Sequence, residues 1–207
     1  MLENFHVASA FKLIKSHEQY NIFSDLSKEE YKTMRKRIVE SVLATDMTFH
    51  AKQFSYLKLK IESLNIKKGE NVDKLFEGLD KMAVYSTQQE FLNTIIHACD
   101  ISNPTKPFKI YKEWADRVMT EFWQQGDKEK ALGLPCSFLC DRTTVSIPSA
   151  QIGFIDGIVT PFITAFQEFF PGLSFLLETV CQNKVQFNKI KEDEEALAKA
   201  NAENRIV

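Results

Sequence analysis

Apolar residues recur at steps of three and four along most of this chain, the period of a helix with one buried stripe. The pattern begins at once, with Leu2, Phe5, Ala8 and then Phe11 or Leu13. A chain that enters an amphipathic helix without a lead-in is expected to start part-way through a domain. Ser27 and Glu30 have the spacing of a capping box, in which side chain and backbone at a helix start satisfy each other. The stripe Tyr31, Met34, Ile38 and Val42 follows, and the run extends, with a bend, to Leu64. Residues 65–86 lose the pattern and carry Lys67, Lys68, Gly69 and Gly78, which predicts a surface connection with a short helix. Ser86 and Gln89 suggest a second capping box, ahead of a helix in which Phe91, Leu92, Ile95 and Ile96 lead to Asp100 at its buried end.

The spacing of Ile110, Trp114, Val118 and Phe122 predicts a helix over 108–125, punctuated by Gly126 and Gly133. A loop follows, and Pro148 stands where the next helix begins, with Ala150, Ile152, Phe154, Ile155, Ile158 and Val159 on it. Pro161 should kink or restart that helix, because proline has no N–H and its ring crowds the preceding turn. Pro171 and Gly172 break it, and a last helix uses Leu176, Val180, Val185 and Phe187. From Lys189 the sequence turns charged and Ala-rich, as in a solvated helix end or a frayed tail. No strand and no internal repeat stand out. The fold class is all-α, a bundle of roughly eight to ten helices.

Composition narrows the picture. In 207 residues, 44% are apolar, enough for one sizeable helical domain or two small ones. A net charge of −2 gives no bulk attraction to nucleic acid or to an anionic membrane. No run approaches the length of uninterrupted apolar residues a spanning helix needs, so no membrane span is expected. Cys99, Cys136, Cys140 and Cys181 are widely spaced with no CxxC pair, which favours free thiols in a reducing compartment and a cytoplasmic location.

Acidic residues on apolar helices carry the candidate chemistry. Asp100 and Asp46 each follow apolar helical runs, and Glu3 sits beside Leu2, Phe5 and Val7. Stranding such carboxylates away from water is costly unless each is paired. Divalent cations bound through oxygen ligands and water are one answer; salt bridges to Lys or Arg are the other. His97 and Asp100, three apart, can face the same way, but two side chains do not make a zinc site. Phe154, Val118 and Phe122 suit a helical core as well as a binding wall, and Gln151 stands in a first turn ahead of an apolar run.

Several motifs in order then point further. "HACDISNPTKP", "YKEWADRVMTEFWQQGDKEKALGLP", "LCDR" and "SAQIGFIDGIVTP", preceded by "LENFHVASAFKLI" and "IVESVLATDM", resemble the second half of the class I cyclic nucleotide phosphodiesterase catalytic domain, closest to its cAMP-specific branch. The resemblance runs from residue 2 to about 170, with 65–86 diverging. It implies the C-terminal portion of the HD-type helical catalytic domain over residues 1–187, and a charged helical or disordered tail over 188–207. It implies two divalent ions, zinc and magnesium or manganese, in the complete domain, with Asp100 a direct ligand and Glu3 and Asp46 acting through water. Gln151 matches the glutamine that holds the purine edge and Phe154 the ring that stacks on it. Asn103 and Tyr111 match the lining of the purine end, and Ile101, Trp114, Val118, Phe122 and Leu139 its apolar walls. An amide and an aromatic ring suit a purine's donor–acceptor edge and flat face.

The departures bear on activity. The family's upstream motifs HNxxHA and HDxxHxGxxN, which supply the general-acid histidine and most metal ligands, do not occur, so no catalytic residue is assigned in this chain. Phe5 replaces a histidine of the usual "LENHH", and Ala115 a polar residue common after the tryptophan. The resemblance implies a metal-dependent hydrolase of signal transduction that opens a 3′,5′-cyclic nucleotide, cAMP rather than cGMP, to the 5′-monophosphate. These 207 residues are then an incomplete, inactive catalytic domain with an exposed apolar face through which it self-associates. The alternative is a non-catalytic truncated paralogue that binds nucleotide or a protein partner. In an arrangement of this kind Glu3, Asp46, Asp100 and Gln151 are expected to face one concavity.

Overall fold

Ser27 opens the first long helix of the chain by accepting a hydrogen bond from the Glu30 N–H, while the Glu30 carboxylate accepts from the Ser27 N–H at 2.9 Å. The expected capping box is therefore present. A computed structural model describes residues 1–203, which form eight α-helices joined by short turns and no β-strand among the described residues. The chain divides into two compact units, Met1–Asp100 and the residues from Ile101 onward.

In the first unit, α1 (Leu2–Ile14) buries only Phe11 of its apolar stripe; Leu2, Phe5 and Leu13 are exposed. Helix α2 (Lys28–Leu43) does not bend into the next helix but ends. Asp46 caps a tight 3-10 turn at Met47–Phe49, and α3 (His50–Leu64) starts afresh, ending on Asn65 in the left-handed region. The divergent stretch is a surface connection, as expected. It is pinned by buried Ile66 and Leu75 and contains a short 3-10 turn, Val72–Phe76.

Helix α4 (Lys81–Asp100) begins earlier than the Ser86–Gln89 spacing predicts. Asp80 caps it by accepting from the Ala83 N–H at 2.8 Å. Gln89 is buried mid-helix, where its amide nitrogen meets Asn93 Oδ1 at 2.8 Å and Ser41 Oγ at 3.1 Å, tying α4 to α2. Helix α3 joins α4 through His50 and His97, whose Nδ1 and Nε2 atoms lie 2.9 Å apart.

In the second unit, a 3-10 turn at Asn103–Thr105 leads to α5 (Phe108–Ala131). The helix runs through Gly126, contrary to the expected break. A Cβ there would stand 1.9 Å from the Cys140 carbonyl oxygen, so the missing side chain serves a close approach of the following loop. Gly133, with φ of +70°, is where the chain turns away. Helix α6 (Ile147–Phe154) continues through a π-turn, Ile155–Val159, into α7 (Thr160–Phe169). Pro161 explains the wider turn, since it cannot donate to the α ladder. After the 3-10 turn Pro171–Leu173, α8 runs from Ser174 to Glu203. Of the two forms expected for the charged segment, a helix or a disordered tail, it is a helix as far as Glu203, and residues 204–207 lie outside the described ones.

The core of this unit is Tyr111, Ala115, Ile155, Val159, Ile163, Val180 and Phe187. Contrary to the expectation of no candidate span, Ile147–Phe169 is long and apolar enough to cross a membrane by length and composition. Its residues Ile155, Val159 and Ile163 belong to that core, and Phe162 and Phe166 are buried as well, the pattern of a core helix.

Candidate functional site

Two groups of candidate residues take shape, one in each unit. In the second unit, the Ser146 side chain accepts from the Ser149 N–H, and Pro148 fixes the first turn of α6. That start turns Gln151 inward, 6% exposed. Helix α5 presents fully buried Tyr111, whose hydroxyl donates to Gln151 Oε1 at 2.8 Å. Burial pushes the Tyr111 hydroxyl far above its ordinary pKa, so it stays protonated and stays a donor. The amide oxygen is thereby engaged, and the amide carries two donor hydrogens on its nitrogen.

Around this pair the apolar candidates divide. Ile101 is buried, and Asn103 and Phe154 are half-buried. Helix α5 turns Tyr111, Ala115 and Met119 into the core. Trp114, 51% exposed, and Val118 are on its open side, with Phe122 half-buried; the Arg117 guanidinium covers the Trp114 ring at 5.4 Å. Leu139 is half-buried and has φ of 63°. Its loop is clasped to the end of α5. The Glu129 carboxylate accepts from the Ser137 N–H at 2.7 Å and from its hydroxyl at 2.6 Å, and Lys130 meets Asp141 at 2.6 Å. Lys130 and Thr143 hold the Asp141 carboxyl down at about 2.

In the first unit the three acidic candidates occur in different settings. Asp100, expected at a buried helix end, is exposed. Partial burial nevertheless raises its carboxyl above the ordinary value; nearby His6 opposes the rise and Glu3 adds to it. Glu3 is half-buried and pairs with the amino terminus at 3.3 Å. Asp46 is half-buried and accepts from the Thr48 N–H at 2.9 Å. The Thr48 backbone and hydroxyl hold its carboxyl below the ordinary range, helped by the amino-terminal charge. Glu3 thus shares one field with Asp100 and one cation with Asp46. A separate cavity of about 470 Å³, lined by residues such as Glu40, Gln53 and Tyr85, contains none of the candidate residues. Its charges are paired internally, Lys36 with Glu40 and Lys52 with Glu90.

Two contributors escape a sequence reading. Asn183 is buried on α8 and donates to the backbone of the Asn103 turn. Phe187 packs edge-on against Tyr111 with centroids 5.2 Å apart. The available signal was Asn183 itself, a polar residue on the stripe Val180, Asn183, Phe187.

This chain belongs to the 3′5′-cyclic nucleotide phosphodiesterase family, whose model matches residues 1–180. It is 43% identical over 161 residues to the probable 3′,5′-cyclic phosphodiesterase pde-1 of Caenorhabditis elegans, covering 78% of this chain and 21% of that protein. It is 38% identical over 185 residues to the same organism's probable 3′,5′-cyclic-AMP phosphodiesterase pde-4, covering 89% of this chain and 26% of the relative. Against the 3′,5′-cyclic-AMP phosphodiesterase 4C of Rattus norvegicus it is 37% identical, over 89% of this chain and 33% of the relative. Among solved structures, the phosphodiesterase domain of Salpingoeca rosetta rhodopsin phosphodiesterase superposes with a TM-score of 0.78 at 28% identity, over 96% of this chain and 57% of that one. The structure of LmjPDEB1 in complex with IBMX superposes with a TM-score of 0.77 at 29% identity, over 93% of this chain and 53% of that one. The chain therefore spans a third or less of the length of the three Caenorhabditis elegans and Rattus norvegicus relatives, and somewhat more than half of each of the two solved chains.

The family is generally dependent on divalent metal. The donors present here do not make up such a centre. Among the described residues no three His, Cys, Asp or Glu side chains are arranged to hold an ion, and Asp46 already spends an oxygen on its own turn.

Proposed function

We propose that this chain supplies the base-recognition part of a phosphodiesterase that hydrolyses a 3′,5′-cyclic nucleotide, cAMP in preference to cGMP. The observation that carries the reading is the buried Tyr111–Gln151 hydrogen bond. A protonated phenol fixes an amide that would otherwise rotate, and a fixed amide can read a purine edge. Phe154 offers the flat ring, and Asn103 a second donor and acceptor. Apolar contact would come from Ile101, Trp114, Val118, Phe122 and Leu139. Two relatives named as cyclic-AMP phosphodiesterases support the preference for adenine. In the proposal residues 1–187 are the later part of the catalytic domain and 188–207 a charged tail, acting on a signalling nucleotide in the cytoplasm.

Hydrolysis adds water across the phosphorus–O3′ bond and leaves the 5′-monophosphate. The side chains of this chain account for recognition and not for that step. In the complete domain we assign Asp100 as a direct ligand of divalent ions, zinc with magnesium or manganese, and Glu3 and Asp46 as groups acting through bound water. The 207 residues alone should bind cyclic nucleotide without hydrolysing it. The absence of both histidine motifs from the sequence favours that second, non-catalytic behaviour for this chain by itself.

Equilibrium binding of cAMP and cGMP to the chain tests the reading, alongside cAMP hydrolysis with added Mg²⁺ and Zn²⁺. Binding of cAMP that Gln151→Ala abolishes is the expected result. No binding of either nucleotide, or equal affinity for both, would overturn the function or its adenine preference respectively.

A further inference from the structure

The segment from Ser102 to Pro107 is short of hydrogen-bond donors, because Pro104 and Pro107 have no N–H. Pro104 and Thr105 are also buried, so the carbonyls there need partners from elsewhere. Helix α8 provides them. Asn183, 2% exposed, donates through its single amide nitrogen to the Pro104 carbonyl at 2.8 Å and to the Lys106 carbonyl at 2.8 Å. Two hydrogens on one planar group set both the separation and the orientation of the two carbonyls. Both carbonyls belong to the 3-10 turn that starts at Asn103 and is capped by Lys106.

One helical turn beyond Asn183, Phe187 packs edge-on against Tyr111 and, at 5.3 Å, against Phe108. Tyr111 in turn holds Gln151. Two neighbouring positions on α8 therefore fix both polar groups that a nucleotide base would meet. The family match ends at residue 180, three residues before Asn183.

We infer that Asn183 is a positioning residue for base recognition: by clamping the turn after Ser102 it sets the place of Asn103 relative to Gln151, and so the discrimination between adenine and guanine. The inference rests on the function proposed above.

The test is equilibrium binding of cAMP and cGMP to the 207-residue chain and to four variants, Gln151→Ala among them. Asn183→Asp keeps the shape of the side chain and removes both donor hydrogens. It should lower cAMP affinity about tenfold, the size expected when one hydrogen-bonding partner is misplaced, and should move the cAMP-to-cGMP ratio toward one. Asn103→Ala should reproduce the same change in ratio, which a merely structural role for Asn183 would not predict. If Asn183→Asp does not fold, Asn183→Gln, which keeps the donors on a longer arm, takes its place and should shift the ratio in the same direction. Failure of both to fold would assign Asn183 to the core alone and overturn the inference. Binding abolished by Gln151→Ala but unchanged in affinity and ratio by the Asn183 variants would overturn this inference and leave the proposed function standing. A wild-type chain that binds neither nucleotide, or whose binding ignores Gln151→Ala, would remove both.

Discussion

His50 and His97 meet nitrogen to nitrogen at 2.9 Å, joining the start of α3 to the last turns of α4. Only one of the two facing nitrogens can carry the shared proton, and His97 is wholly buried. Burial, and then the neighbouring His50, push the His97 imidazole down to about 4; burial also lowers His50. Between about pH 6.5 and 4 the unfolded chain therefore binds protons that the folded chain refuses, so stability falls as pH drops through that window. The expected loss attributable to His97 is on the order of 2 kcal/mol by pH 5. Urea unfolding at pH 7.5 and pH 5 should show it. A His97→Gln chain with an unchanged pH slope would refute it.

Gly126→Ala should cost about 2 kcal/mol or more, the range for forcing atoms into a filled space. The new Cβ meets a backbone oxygen at 1.9 Å, together with Cys136 Sγ at 2.9 Å, and the carbonyl cannot swing aside as a side chain would. Thermal unfolding that is the same for both proteins would show that the loop has other places to go.

Ser27→Ala should destabilise α2 by about 1 kcal/mol, as is typical for loss of an N-cap. Because the Glu30 carboxylate also bonds the Ser27 hydroxyl, at 2.7 Å, Glu30→Ala in the same chain should cost less than it does alone. Denaturant midpoints of the two single variants and the double variant measure that coupling; strict additivity would contradict the reciprocal box.

Tyr111→Phe removes the donor to a buried amide oxygen and should cost about 1–2 kcal/mol of stability. It should also release the rotation of Gln151, narrowing the difference between cAMP and cGMP affinity more than it lowers either. A variant that loses stability but keeps the full difference would detach Tyr111 from base recognition.

The sequence made the short-range features legible and left the long-range ones hidden. The Ser27 cap is written in residues three apart, and Pro161 and Pro148 act on their own turns, so each could be read locally. Ser86 and Gln89 have the same spacing as a cap, but Gln89 is claimed by Arg37, Ser41 and Asn93, and the true start is set by Asp80. Gly126 reads as a helix breaker until Cys140 is brought against it. Site residues divide in the same way. Gln151 and Tyr111 could be singled out by resemblance, but their hydrogen bond spans forty positions. Asn183 bonds carbonyls nearly eighty positions away, beyond the reach of any local pattern.

The π-turn at Ile155–Val159 acts as a phase shifter. In an α-helix each residue advances the side-chain direction by about 100°, and a π-turn is a local insertion that absorbs one such step. Gln151 lies on one side of it, and the core residues Ile163 and Phe166 lie on the other. Both point inward only because the ladder between them is offset. Deleting Gly157, whose surroundings are open, would let the helix close into a regular α ladder. Because the π-turn already absorbs that extra step, Gln151 would keep its direction relative to α7. A shorter, more regular helix would then be one in which the amide still faces Tyr111, whereas straightening the π-turn with all its residues kept would turn the amide away by about 100°.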